Sequence, residues 1–483
     1  MLAPSLSLTE MFSDNLNLSD NAKKSGFVTE VAPGMSVFGV SPWGSSNLRY
    51  RLQGLHNAGA SDAIDINHQL QMQTFYQLVR NQLFVDSTAS ISQQNINNAL
   101  IATDNLSGQR NRSTVQNFSI SPFWTPRFGQ YATGLFRMGY QHSSFNNEID
   151  LVNNALLGNL ISDSESYTRQ AGLTSGSKFN RVMWGLNYSG QDQNRESGRN
   201  VTFEQYTGNL RYFINRNFNV FASGGFDDNS FATQAGRIRN GFHYTLGGRW
   251  QPSLWYSLEV GLGNNSHVTL VANPSTRLSS TITYRYKEVG LNTGSSWDAN
   301  FNYWLNQATI GFRYFQETVT VQQVLFQQNV FGNPNNPVIL PPGFNPTLPN
   351  LVDDVIVRKR GDLTFSYTTG KSTYSAGLHN ERRLYELQAN DDMTYGATGS
   401  WAWQFQPRLN FYFQPSWQAT EGVASDNNRY DLALGVTRSI PVNWGRPSLM
   451  NTRLELRHIN QSSDTSGFDF TENRATANFA VQF

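Results

Sequence analysis

Glu472-Asn-Arg-Ala-Thr-Ala-Asn-Phe-Ala-Val-Gln-Phe483, the last stretch of the sequence, decides the fold class. Counting back from Phe483, the residues Val481, Phe479, Ala477 and Ala475 are apolar, while Gln482, Asn478, Thr476 and Arg474 lie between them. A period of two makes a β-strand with one greasy and one wet face. Other segments repeat it. Tyr395, Ala397, Trp401, Trp403 and Phe405 share one face, against Thr394, Thr398, Ser400 and Gln404. Leu409, Phe411, Phe413, Trp417 and Ala419 oppose Asn410, Gln414, Ser416 and Gln418. Phe242, Tyr244, Leu246 and Trp250 oppose His243, Thr245 and Arg249, and Leu48, Tyr50 and Leu52 oppose Arg49, Arg51 and Gln53. Asn67, Gln69, Gln71 and Gln73 form an amide row against Ile66, Leu70, Met72 and Tyr76.

The connections alternate as well. Short ones fall at Trp124–Phe128, Asn215–Asn219, Trp250–Leu254, Asn306–Gln307 and Thr369–Ser372. Long ones fall at Asp14–Phe27, Gln94–Arg112, Phe145–Ser164, Ser189–Asn200 and Phe326–Asp354. Short turns at one end and long loops at the other predict an all-β transmembrane up-and-down antiparallel barrel with both termini periplasmic. Counting back from Phe483 gives about 24 strands, in a range of roughly 22–26, with His267–Pro274 ambiguous. The terminal Phe479, Val481 and Phe483 resemble the signal that bacterial outer-membrane barrels present to their insertion machinery. Trp124, Trp250, Trp255, Trp304, Trp401 and Trp403 read as interfacial girdles. A soluble sandwich, propeller or β-helix also alternates, but would turn its greasy face inward.

Composition agrees. Hydrophobic residues make up 38% of the chain, and aromatics reach 13%, with 32 Phe, 20 Tyr and 11 Trp. No run of about eighteen apolar residues marks a spanning helix. There is no cysteine, and the formal net charge of +1 gives no reason to expect nucleic acid as a partner. No basic and apolar leader stands before Pro4, so the expectation is a mature form with the signal peptide removed. Residues 1–483 read as a single barrel domain without plug or passenger, which counts against a TonB-dependent transporter and an autotransporter.

Motif chemistry is sparse. Gly370-Lys371-Ser372 mimics the end of a phosphate loop, but Phe365 stands where the first glycine belongs, and the segment is a hairpin turn. No Gly-x-Ser-x-Gly, His-Glu-x-x-His or Cys-x-x-Cys-His occurs. The sequence therefore predicts no enzyme, no cofactor, no metal site and no catalytic residue.

Charges on the polar faces carry more. Turning each polar face to the lumen points Arg49, Arg51, Arg137, Arg181, Arg211, Arg249, Arg285, Lys287, Arg313, Arg358, Arg360, Arg383, Arg453, Arg457 and Arg474 inward. The inward acids are fewer: Asp298, Glu317, Asp362, Glu381, Asp431 and Glu455. An excess of base would concentrate anions, whereas cross-strand pairing would merely brace the wall. Strands ~4.8 Å apart and tilted ~40° give a barrel roughly 45–50 Å wide, with ~30 Å open inside. Such a bore needs an occluder. The proline-rich loop Phe326–Asp354, with Pro334, Pro337, Pro341, Pro342, Pro346 and Pro349, is the internal candidate; an ordinary surface loop is the alternative. Inward Phe75, Phe315 and Tyr412 offer stacking faces for sugar rings or packing faces for an inward loop.

Several segments together resemble the outer-membrane proteins of PEP-CTERM/exosortase systems, found beside exopolysaccharide biosynthesis genes. They are Pro4-Ser-Leu-Ser-Leu-Thr-Glu-Met-Phe-Ser-Asp-Asn-Leu16, Val28-Thr-Glu-Val-Ala-Pro-Gly-Met-Ser36, Leu83-Phe-Val-Asp-Ser-Thr-Ala-Ser-Ile-Ser-Gln-Gln-Asn-Ile96 and Gly290-Leu-Asn-Thr-Gly-Ser-Ser-Trp297. The resemblance implies an outer-membrane barrel linked to exopolysaccharide export. Its partners would be outer-membrane lipid and lipopolysaccharide, the insertion machinery, and a polysaccharide or a periplasmic export partner. Two alternatives stay open: a sheath around a partner such as a multihaem cytochrome, and a structural or adhesive surface barrel.

Overall fold

The computed structural model describes residues 2–58, 64–96, 100–107, 111–149, 161–230, 239–291, 293–326, 349–388, 390–422, 425–443 and 447–483. Each wall strand pairs antiparallel with the next. The ring closes at the first strand, Leu2–Ser13, which pairs with Gly26–Ser41 on one side and with the last strand, Phe470–Gln482, on the other. That last register runs from Ser5↔Gln482 to Ser13↔Arg474. Of the 25 strands, two-residue Arg127–Phe128 is a rung inside a turn, which leaves a closed wall of 24. An even number of strands puts Leu2 and Gln482 at the same end as the short turns.

The first strand shows why these residues make a wall. Ala3, Ser5, Ser7, Thr9, Met11 and Ser13 are buried on the inner face, while Leu2, Leu6, Leu8 and Phe12 stand exposed on the outer one. A soluble sheet would bury those leucines. Large apolar side chains outside and small polar ones inside are the pattern of a wall solvated by lipid. Leu246, Leu262, Leu378, Leu454 and Leu456 extend the exposed apolar band around the ring. Among the described residues no helix is long and apolar enough to cross a membrane, so the crossing is made by strands.

Aromatics border the band. Trp43, Trp124, Trp250, Trp255 and Trp304 are exposed beside the short turns, and Trp401 stacks on Trp403 at 6.1 Å. Toward the long-loop end, Tyr140 pairs with Tyr167 (5.3 Å), Tyr188 with Tyr206 (4.8 Å) and Tyr284 with Trp297 (4.8 Å). Two girdles at the height of the headgroups follow from rings that are apolar in body and polar at one edge.

Three connections differ from the sequence reading. His267–Pro274 lies inside a full strand, Asn265–Ser275. The loop expected over Ser189–Asn200 shrinks to 196–200, because Val182–Arg195 and Val201–Phe213 stay paired as far as Gln193↔Val201. Pairing likewise carries Ala132–Ile149 past Phe145 to Asn111↔Ile149.

The wall is uneven in height. Gly241–Trp250, Tyr256–Gly263, Asn265–Ser275, Leu278–Lys287 and Gly294–Trp304 have only 8 to 11 residues. Asn390–Gln406, Asn427–Asn443 and Pro447–Ser463 have 17 each. A tilted strand crosses a bilayer with about 9–11 residues, so the low sector barely spans while the high sector projects beyond the lipid at the long-loop end. The described apolar burial gathers at that mouth.

Candidate functional site: the lumen and its mouth

Thr320 ends the strand Ala308–Thr320 and opens the six-residue helix Val321–Phe326. Thr320-Val-Gln-Gln323 forms a capping box. Gln323 N donates to Thr320 Oγ1 (3.3 Å), and Thr320 N donates back to Gln323 Oε1 (2.8 Å). The helix buries Val321, Val324 and Leu325 in one cluster with Val115, Ile161, Leu351, Val352, Ile356 and Tyr385. Val115 sits on Asn111–Trp124, about half the ring away from Ile356 and Tyr385 on Val355–Thr368 and Ser372–Tyr385. This apolar bridge therefore crosses the bore.

Polar contacts fasten the bridge on every side. Leu351 N donates to Ile96 O (2.8 Å), and Ile161 N donates to Leu351 O (3.0 Å). Gln323 Nε2 donates to Gln191 Oε1 on the wall (2.6 Å). Asp353 accepts from Ser162 Oγ (2.6 Å) and Gln322 Nε2 (2.8 Å) and lies 3.6 Å from Arg195 Nε. Asp354 accepts from the N–H groups of Val355 (2.6 Å), Leu387 (2.9 Å) and Gln388 (3.1 Å). Burial pushes both carboxyls up from the ordinary range, Asp354 to about 6, against these donors and Arg195. The bridge is thus made by both described flanks of the loop expected to occlude the bore. Pro334, Pro337, Pro341, Pro342 and Pro346 lie outside the described residues.

A second inward segment, Leu100–Ser107, leans on the wall. Leu106 joins Met11, Leu16, Val28 and Leu55, and Leu100 and Ala102 join Leu18, Ile459 and Phe470. Arg429 donates to Ile101 O and to Thr103 Oγ1 (2.7 Å). The amides of Asn105 and Gln53 bond reciprocally. Asp104 accepts from Arg474 Nη2 at 2.8 Å. Burial opposes the Asp104 charge, but Arg474 and the Leu106 N–H outweigh it and hold the carboxyl below its ordinary range.

The structure pairs most of the sequence-selected arginines. Arg358, Arg360 and Arg383 converge on Glu381 at 2.8, 2.9 and 2.6 Å, with Glu317 (3.3 Å), Asp362 (2.7 Å) and Asp392 (3.4 Å) at the margins. Arg453 and Arg457 bind Glu455, and Arg457 lies 3.5 Å from Asp431. Arg51 binds Glu30, Arg137 binds Asp86 (2.8 Å) and Arg211 binds Glu259 (2.9 Å). Glu30, Asp86, Asp104, Glu259 and Asp392 are lumenal acids that the sequence reading missed, so much of the expected basic excess is cancelled.

The others differ. Arg49 faces Gln71 across the strand pair, and Arg181 is exposed beside a short turn. Asp298 pairs in register with Thr283. Arg249 bonds Ser257 Oγ (3.2 Å), and Arg313 rests 5.0 Å over Phe315. Among the described residues Arg249, Arg285, Lys287 and Arg313 have no carboxylate within ion-pair distance. Phe75 packs with Phe84 and Phe123 (5.6 and 6.3 Å), and Tyr412 with Arg453 (4.9 Å). Phe479 and Phe483 stand exposed at the closing seam, and Val481 is buried. No cluster of three or more His, Asp or Glu is placed to hold a metal among the described residues.

No protein-family model matches the chain, and no curated protein matches its sequence. Among solved structures it is similar to the siderophore receptor PirA from Pseudomonas aeruginosa, at 12% identity and a TM-score of 0.43, covering 99% of this chain and 80% of that one. The FrpB iron transporter from Neisseria meningitidis is 12% identical, with a TM-score of 0.45 and coverage of 99% and 82%. OpdK from Pseudomonas aeruginosa, solved with vanillate, is 9% identical, with a TM-score of 0.35 and coverage of 100% and 99%. At these scores the neighbours carry no argument about cargo. The closed pairing, the lipid-facing band and the polar lumen make this chain a bilayer-spanning β-barrel of the outer-membrane kind.

Proposed function

We propose that the protein is an outer-membrane conduit for exopolysaccharide export, kept shut at its long-loop mouth by its own chain. The observation that carries this reading is the apolar bridge of Val321–Phe326, Leu351 and Val352 across a bore whose wall is mainly polar. A wall of amides, hydroxyls and arginine–carboxylate pairs offers hydroxyl-rich polymer many exchangeable hydrogen bonds. The resemblance to exosortase-associated barrels supplies the substrate class. A sheath around a large partner would need a clear bore, and the bridge counts against it.

Single-channel recording of the purified barrel in a planar bilayer tests the proposal, with alginate as the polymer. Mostly closed traces with large openings that alginate shortens are the expected result. A permanently open, alginate-insensitive pore would overturn it.

A further inference from the structure

Between the inward segment Leu100–Ser107 and the high wall lies a cavity of about 490 Å³. We propose that it is a binding site for one or two uncharged sugar units, a resting place within the export path; this deepens the function proposed above.

The cavity has a roof, two charged sides and a recessed floor. Ile101, Ala102 and Thr103 form the roof, and Arg429 holds it down through Ile101 O and Thr103 Oγ1. Arg360 with Asp362 makes one side, at 2.7 Å, and Arg429 with Asp431 the other, at 3.6 Å. Two arginines and two aspartates line the space, so its lining carries no formal net charge to attract an ion. What remains is a set of short donors and acceptors: the hydroxyls of Thr364, Thr398 and Ser416 and the amide of Gln418. Hydroxyls need partners that both give and accept, and this set does both.

Gly377 on the inner face belongs to the floor, and Gly396 lies behind it. A Cβ at Gly377 would come within 2.8 Å of Thr398 Oγ1, and one at Gly396 would meet first the Trp417 carbonyl and then His379 Cε1, the latter at 2.7 Å. Gly396 thereby lets the His379 ring lie against the strand. The His379 ring lines the cavity beside these hydroxyls. The volume lies in the ordinary range of small-molecule sites, about 300–1,000 Å³.

Saturation-transfer NMR on the detergent-solubilised full chain, with an equimolar mixture of glucose, galactose, mannose, rhamnose and maltose, tests the site. The expected result is signal from at least one sugar, weakened about tenfold in Gly377→Val, which fills the floor, and in Thr398→Val, which removes a hydroxyl at constant volume. A heat-modifiable gel shift like wild type in either variant shows that the barrel has formed. Absence of any sugar signal in wild type, or equal signal in the folded variants, would overturn the site. The bilayer experiment separates the two ideas. Alginate block with unchanged sugar binding in both variants leaves the conduit and removes the cavity; sugar binding lost in the variants without alginate block does the reverse.

Discussion

Two sectors of one ring are built differently. From Val355 to Gln482 the strands run to 13–17 residues, the inner face is a net of arginines and carboxylates, and inward segments lie against it. From Gly241 to Trp304 the strands have 8–11 residues, and Arg249, Arg285 and Lys287 face the lumen without a carboxylate partner among the described residues. Seams there are short as well: Gly241–Trp250 and Tyr256–Gly263 pair over six residues, against seventeen between Asn427–Asn443 and Pro447–Ser463. A wall that must carry buried charge and a lid is tall and cross-braced. A wall that only crosses lipid and faces water is thin and basic.

The largest effect is expected at the centre of the braced side. Glu381 neutralises Arg358, Arg360 and Arg383 and is 1% exposed. Glu381→Gln leaves three guanidiniums short of a counter-charge and should cost about 3–5 kcal/mol, read as a large fall in thermal unfolding temperature. Glu259→Gln on the thin side breaks a partly exposed pair with Arg211 and should cost only about 1 kcal/mol. Equal losses would erase the distinction.

Next comes the lid. Leu325→Asp places a charge in the apolar bridge and should undock it, at a cost of several kcal/mol for an unpaired buried group. Open probability in a bilayer should rise sharply while the thermal stability of the wall stays near wild type. If stability falls as far as in Glu381→Gln, the bridge is part of the barrel core rather than a separable closure.

A smaller, graded effect follows from Asp354. Its carboxyl is raised to about 6 by burial, so the docked lid holds its proton where the undocked chain, near pH 4, releases it. Docking is therefore strongest below about pH 4 and weakens as pH rises to about 6, by up to roughly 1.4 kcal/mol per unit. Conductance recorded from pH 4 to 7 should rise in the wild type and rise less in Asp354→Asn, where only Asp353 still titrates in the docked bridge. The smallest change is expected on the thin side, where Arg285→Gln with Lys287→Gln should lower the anion-to-cation permeability ratio about twofold, read from reversal potentials in a salt gradient.

The alternation of Leu2–Ser13 or of Phe470–Gln482 was legible residue by residue, because each strand's two faces meet two uniform solvents. It fails where an inward segment replaces water. Met11, Val28 and Leu55 are apolar yet inner-facing because Leu106 covers them, and Glu30 shares that buried inner face with Val28. The capping box Thr320-Val-Gln-Gln323 was the one local signal for the lid helix. A reading for period two does not register it.

The sequence by itself determined the wall, since successive side chains of a strand must point to opposite faces and lipid selects the greasy one. Only the tertiary structure decided what fills the bore and which charges cancel. Arg474 and Asp104 stand 370 residues apart and meet only because the ring has closed and a loop has turned into it. No pattern along the chain encodes such a pair, for Coulomb attraction depends on distance in space, and closure sets that distance.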